Sequence, residues 1–204
     1  STMTTLCYSQ VIAKREWQSY FNSPVAYVFI VIFLALSGFF TFQVSHFYEA
    51  GQADLQDFFV WHPWLYLILV PAVTMRSWAE ERRSGTMELL LTLPIQPMAA
   101  IVGKFVAAWL FMGLALLLTL PIVFTVNFLG EPDGGAILCG YVGSFLMAGA
   151  YVAVGMFTSS LTRNQVISFI LAVVIGLLLI LAGYPPVTEL LSSWAPAAAV
   201  DTIA

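Results

Sequence analysis

Five apolar stretches, each long enough to cross a bilayer, leave this chain few folds to choose from. They run over about 24–45, 58–78, 98–127, 136–160 and 165–184. At about 1.5 Å per residue, some 20 helical residues cross roughly 30 Å of hydrocarbon. Charged residues make up 9% of the chain and hydrophobic residues 60%, against roughly 25% charged in a soluble domain. The expected fold class is all-α integral membrane: one polytopic helical bundle over 1–204, with five spans. Pro71 is expected to kink the second span and Pro121 the third.

Charge fixes the expected orientation. With five spans and alternating loops, Lys14, Arg15, Arg76, Arg82, Arg83, Lys104 and Arg163 all fall on one side, which accounts for all 7 basic residues. The positive-inside rule makes that side cytosolic. Glu49, Asp54, Asp57, Glu131, Asp133, Glu189 and Asp201 fall on the other, from a total of 11 acids. The N-terminus is then cytosolic and the end of this chain outside. The odd span count and the apolar segment APAAAVDTIA lead us to expect a sixth span beyond Ala204. Ahead of the first span, residues 6–22 place Leu6, Ala13, Trp17, Tyr20 and Phe21 on one helical face. Lys14, Arg15, Gln18 and Asn22 lie largely opposite, the pattern of an interfacial helix.

A polar interruption separates the second and third spans. Arg76, Glu80, Glu81, Arg82, Arg83 and Glu88 crowd into thirteen positions between two apolar runs. The stretch reads as two short helices with a break at Ser84-Gly85, because Gly ends helices at low cost. Glu88 falls in the first turn of the second helix, where the positive dipole end favours a carboxylate, and Pro94 and Pro97 stop it. Met87, Leu89, Leu90, Leu91 and Leu93 make Thr86–Leu93 apolar on most sides. A surface helix that apolar needs a partner surface or the membrane interface. Taken alone, the same charges serve equally to solvate a loop.

The run EERRSGTMELLLTLPI, followed by Gly103-Lys104, resembles the segment after the second span of type-2 ABC exporter permeases. Within them it looks most similar to the branch associated with gliding motility and copper-enzyme maturation. The resemblance is specific over about 30 residues, and beyond them it lies in hydropathy. It implies that 79–97 is a cytosolic coupling segment which docks on a separate ATP-binding-cassette ATPase. Glu81, Arg82, Arg83, Gly85, Thr86, Met87, Glu88, Leu90 and Leu91 would carry that contact. Arg82, Arg83 and Glu88 would make the polar rim, and Met87, Leu90 and Leu91 the apolar anchor. The loop around Arg163 would make a second, smaller contact. The resemblance further implies a second permease copy, as homodimer or heterodimer, in a bacterial cytoplasmic membrane. ATP and Mg would belong to the ATPase, leaving this chain no catalytic residue or cofactor of its own. Membrane lipid and an extracytoplasmic accessory protein complete the expected partners; nucleic acid is not among them.

The residues themselves agree that energy comes from elsewhere. The spans carry no ionisable residue near mid-membrane, where coupled carriers place carboxylate or His relays. Lys104 falls near a span end and is expected to snorkel; His46 and His62 read as interfacial. No GxxxxGK[ST] phosphate loop is present, since Gly103-Lys104 lacks the upstream glycine. The seven Met are scattered without ligand spacing. Cys7 and Cys139 lie far apart and read as small buried residues rather than a disulfide or metal site. Two alternatives stay open beside export: a membrane scaffold that transmits ATPase force to an extracytoplasmic partner, and a passive channel.

The orientation is checked with single cysteines at Gln52 and Ser84 in a background lacking Cys7 and Cys139. On intact cells an impermeant thiol reagent is expected to label position 52 and spare position 84. The reverse pattern overturns the orientation.

Overall fold

A computed structural model describes residues 2–44, 55–92, 96–183 and 186, apart from the side chains of 2–6, 44, 57, 91 and 129. His46, most of the expected outer loop 46–57, the segment 187–204 with Glu189 and Asp201, and the Leu91 side chain lie outside the described residues. Among the described residues all regular structure is helical, joined by short turns. In order the helices are α1 (Thr2–Asn22), α2 (Pro24–Phe39), α3 (Gln56–Val60), α4 (His62–Thr74) and α5 (Arg76–Ser84). They continue with α6 (Thr86–Thr92), α7 (Pro97–Leu117), α8 (Leu120–Leu129), α9 (Gly134–Leu161) and α10 (Gln165–Ala182). A π-helical turn, Phe40–Val44, extends α2.

Helix starts follow local chemistry. Ser23 Oγ accepts from the Val25 amide at 3.3 Å, with Pro24 opening α2. Asp133 Oδ1 accepts from the Gly135 amide at 2.9 Å, and Asn164 Oδ1 from the Val166 amide at 2.9 Å. Each cap satisfies an amide that the first helical turn leaves without a carbonyl.

Four helical stretches among the described residues are long and apolar enough to cross a bilayer: Pro24–Gln43, Pro97–Phe128, Gly134–Leu161 and Gln165–Ala182. The second expected span, 58–78, is instead divided into α3, α4 and the start of α5, with joints at Trp61 and Met75. Pro71 lies inside α4, and the break comes a turn later at Met75. The third expected span is divided at Leu118–Thr119, just ahead of Pro121. Proline removes an amide and clashes with the turn before it, which accounts for the break ahead of Pro121; α4 runs on through Pro71, and the Met75 joint lies on the side of Pro71 where that clash does not act.

α9 is the central helix, packed on α4, α5, α7 and α10. Ser144, Ala148, Val152, Gly155 and Ser159 form one buried stripe along it, at the spacing of one helical face. Small side chains let backbones approach, and in lipid such packing and polar contacts drive association. Ser144 and Ala148 follow Gly140 at four-residue spacing, whereas Ala153, four residues after the buried Gly149, is exposed. Phe33, Tyr66, Phe111, Met112 and Val152 fill the bundle's centre, each 0% exposed. Tyr66 and Ser144 hydroxyls meet at 2.8 Å within it.

α1 packs along α7 more extensively than any other helix pair. Ile12, Trp17, Tyr20 and Phe21 turn toward the core, and Tyr20 stacks on Phe111 at 5.2 Å. Lys14, Arg15, Gln18 and Asn22 remain exposed.

Several single-residue expectations change. His62 is buried rather than interfacial, because α3 folds Phe58 and Phe59 over it, with Phe33 and Tyr66 behind. Cys7 and Cys139 are exposed, not buried; an apolar thiol on a helix surface beside lipid has no reason to hide. Thr41 and Thr119 are buried and hydrogen-bonded to the Ser37 and Leu116 carbonyls.

The closest helix approach gives a test. A Cβ on Gly155 would collide with the Thr74 side chain on α4. Gly155→Ala is expected to lower stability by about 1–3 kcal/mol, the usual cost of overpacking, and Thr74→Ala to recover part of it. Unfolding midpoints in detergent measure both. Additive losses in the double variant would show that the two sites do not share this contact.

Candidate functional site

The two helices after the second expected span meet at an elbow. Ser84 Oγ donates to the Glu80 and Glu81 carbonyls at 2.9 and 3.3 Å, closing α5. Gly85 then adopts φ 74°, the left-handed conformation that favours glycine, and caps the helix. The Thr86 and Ser84 hydroxyls meet at 2.9 Å across the elbow. Arg82 and Arg83 occupy the last turn of α5, beside the negative end of its dipole. Glu88 occupies the first turn of α6.

Three polar ties hold α5 to the bundle. The first repairs the backbone at Met75. Where α4 ends, the Trp78 and Ala79 amides no longer reach carbonyls one turn back. Ser159 Oγ on α9 accepts from both at 3.0 Å. The same hydroxyl donates to the Met75 carbonyl at 2.9 Å. One serine thus replaces the missing turn, as backbone buried away from water requires.

The second tie is ionic. Lys104 on α7 is 5% exposed, and its Nζ lies 2.9 Å from Glu16 Oε1 on α1 and 2.9 Å from Glu81 Oε1 on α5. The Trp78 ring lies beneath it, 5.2 Å from Nζ to the centroid, within cation–π range. Lys104 therefore does not snorkel to water. Its carboxylate partners come to it, which offsets the cost of burying the ammonium. Burial, with the Glu16 carboxylate adding to it, pushes the neighbouring Tyr20 phenol well above its usual range, so Tyr20 stays neutral. A 310 Å³ cavity beside this cluster is lined by Glu16, Tyr20, Arg76, Glu80, Glu81 and Lys104, among others. The third tie runs from Gln165 Nε2 on α10 to Glu80 Oε2. It draws the Arg163 loop, itself exposed, toward α5.

The residues expected to contact a partner therefore divide. Arg82, Arg83, Gly85, Thr86, Glu88 and Arg163 are exposed. Glu81 turns inward onto Lys104. Met87 and Leu90 are half-buried and pack against the chain's own core. Leu89, not singled out as an anchor by the sequence, is the apolar side chain that α6 turns outward among its described side chains, at 65% exposed. Ser159, Lys104 and Glu16 were missed as a set. The available signal was Lys104 itself, since an ammonium inside a span demands a carboxylate partner. Ser159 left no such signal, because a hydroxyl in a span usually bonds its own helix.

Between α5, α6, α7 and α9 lies an apolar groove of 460 Å³, lined by Trp78, Met87, Leu90, Phe105, Met156 and Phe157 among others. Among the described residues no group of three or more His, Cys, Asp or Glu has metal-binding geometry. A short polar arm is thus fixed to α7, α9 and α10 and, through Lys104, to α1.

The ionic tie predicts an asymmetry. Lys104→Ala strands two carboxylates and is expected to cost about 3–5 kcal/mol, the range for breaking a buried pair. Glu16→Gln or Glu81→Gln alone leaves one partner and is expected to cost less. Unfolding midpoints in detergent decide it, with Lys14→Ala as an exposed control; equal losses for Lys104→Ala and Lys14→Ala would refute the role.

A family model described as ABC-2 family transporter protein matches residues 10–199. No curated protein and no solved structure matches the chain. The match takes in every described helix except the first residues of α1, including the α5–α6 arm. This is a multi-pass integral membrane protein, and it belongs to the ABC-2 transporter family, whose members are membrane-spanning permease components of ABC transporters that normally work with a cytosolic ATPase.

Proposed function

We propose that this chain is the permease subunit of an ATP-driven exporter in a bacterial cytoplasmic membrane, and that its ATPase docks on the outer face of α6. The observation that carries this is the contrast between the two sides of the arm. Its inner side is fixed by Ser159, Lys104 and Gln165. Its outer side presents Arg82, Arg83, Glu88 and Leu89 to solvent, with Arg163 nearby in sequence to Gln165. A partner that moves against the outer side shifts spans and not merely a loop.

In this reading Leu89 is the apolar anchor and the charges form a rim, because rim charges contribute little once solvated. Met87 and Leu90 hold α6 to its own bundle. ATP and Mg sit on the partner, and this chain contributes no catalytic group. The filled centre of the bundle, with Phe33, Tyr66, Phe111 and Met112 fully buried, favours a substrate path between two copies over one through a single copy. It also speaks against a passive channel. Force transmission to an extracytoplasmic partner uses the same arm and remains the second reading of it.

The test is co-purification of the ATPase with wild-type and variant permease, alongside ATP turnover. Leu89→Asp is expected to cut ATPase retention at least tenfold while the permease still inserts and unfolds at the wild-type midpoint. Glu88→Ala is expected to change retention less than threefold. Full retention and turnover with Leu89→Asp would overturn the docking assignment and move attention to Arg163.

A further inference from the structure

The 460 Å³ groove under α6 is about three times the volume of the roughly 150 Å³ apolar cavity that suffices to hold benzene. It falls within the range of ligand pockets. Its walls come from the first turns of α7 and the last turns of α9, the ends of two membrane-spanning stretches. The groove therefore lies at the level where lipid headgroups give way to acyl chains. Beside it Ile101, Val102 and Phe157 are exposed, at 45%, 39% and 59%. Such apolar surface at this depth faces lipid rather than water.

Charge at the end of α5 identifies the other half of the ligand. Arg82 lies four residues beyond Trp78, hence one turn along the same face as a groove-lining ring. It is exposed, and neither Arg82 nor Arg83 forms an ion pair among the described residues. Trp78 itself is a residue favoured at the membrane interface. An apolar trough with a cation one turn beyond its end matches an amphiphile with an anionic head.

We propose that this groove is a phospholipid site: one acyl chain of an anionic lipid from the surrounding bilayer lies along Phe105 and Met156 beneath α6, with its phosphate at Arg82. The lipid then forms the floor on which Met87 and Leu90 rest. The groove needs only the membrane setting of the chain; Arg82 is shared with the face on which the ATPase is proposed to dock, so the test is made without an ATPase.

The probe is phosphatidylglycerol carrying a diazirine on its acyl chain, in vesicles with the purified full chain and no ATPase. Cross-links are mapped by mass spectrometry, with Leu178 and Leu179 on α10 as exposed lipid-facing controls, at 62% and 61%. Labelling at Phe105 and Met156 is expected to exceed the controls at least fivefold. Ala153 lines the groove and is exposed. Ala153→Trp is expected to fill the mouth and bring groove labelling to the control level, while Ala153→Ser keeps it. Arg82→Gln is expected to erase a preference for phosphatidylglycerol over phosphatidylcholine. Even labelling across groove and controls, unchanged by Ala153→Trp, would overturn the site and leave the groove to a protein partner. Groove labelling with no headgroup preference in the wild type would overturn the place given to Arg82.

Discussion

A helix cannot simply stop where the bundle buries it, because no water is present to take up its amides and carbonyls. At Met75 this chain stops one and starts another, and the whole polar end of the bundle depends on how that break is satisfied. Ser159 does it alone, accepting from two amides and donating to one carbonyl. The repair is possible only because α9 comes very close here, with Gly155 against Thr74 one turn away. Remove the close approach and the hydroxyl no longer reaches; remove the hydroxyl and α5 loses the fixed direction in which it leaves the membrane.

Once α5 has that direction, Glu81 points at Lys104 and Glu80 at Gln165. The ammonium of Lys104 then joins α1, α5 and α7, which are far apart in sequence. A buried lysine is costly unless paired, so this cluster sets the relative positions of three helices more through the penalty for separating them than through net attraction. The same logic explains why α1 lies packed on α7, with its basic residues outward and Glu16 inward.

Much of this was legible in the residues. Apolar runs gave the helical class, and four of them return as helices able to cross a bilayer. The elbow at Gly85 followed from Ser84-Gly85 and appears with the left-handed φ that glycine permits. Legibility ended where one residue's role depends on another helix. Periodicity cannot say that Met87 and Leu90 face inward while Leu89 faces out, because α6 is apolar on most sides. Nor can it foresee that α3 closes over His62, since that depends on a joint at Trp61. Pro71 leads us to expect a kink, but α4 runs through it and the break comes at Met75, where the Ser159 hydroxyl takes up the freed backbone groups.

The shortness of α5 has its own consequence. Nine residues of helix extend only about 13 Å, pinned near one end at Ser159 and bent at the other at Gly85. Because Glu80 and Glu81 are tied as well as the backbone at Trp78 and Ala79, only the last residues, Arg82–Ser84, overhang the bundle, by roughly 5 Å, too short a lever to bend without moving its supports. A thrust at that tip would be shared among α7, α9 and α10, which carry the supports.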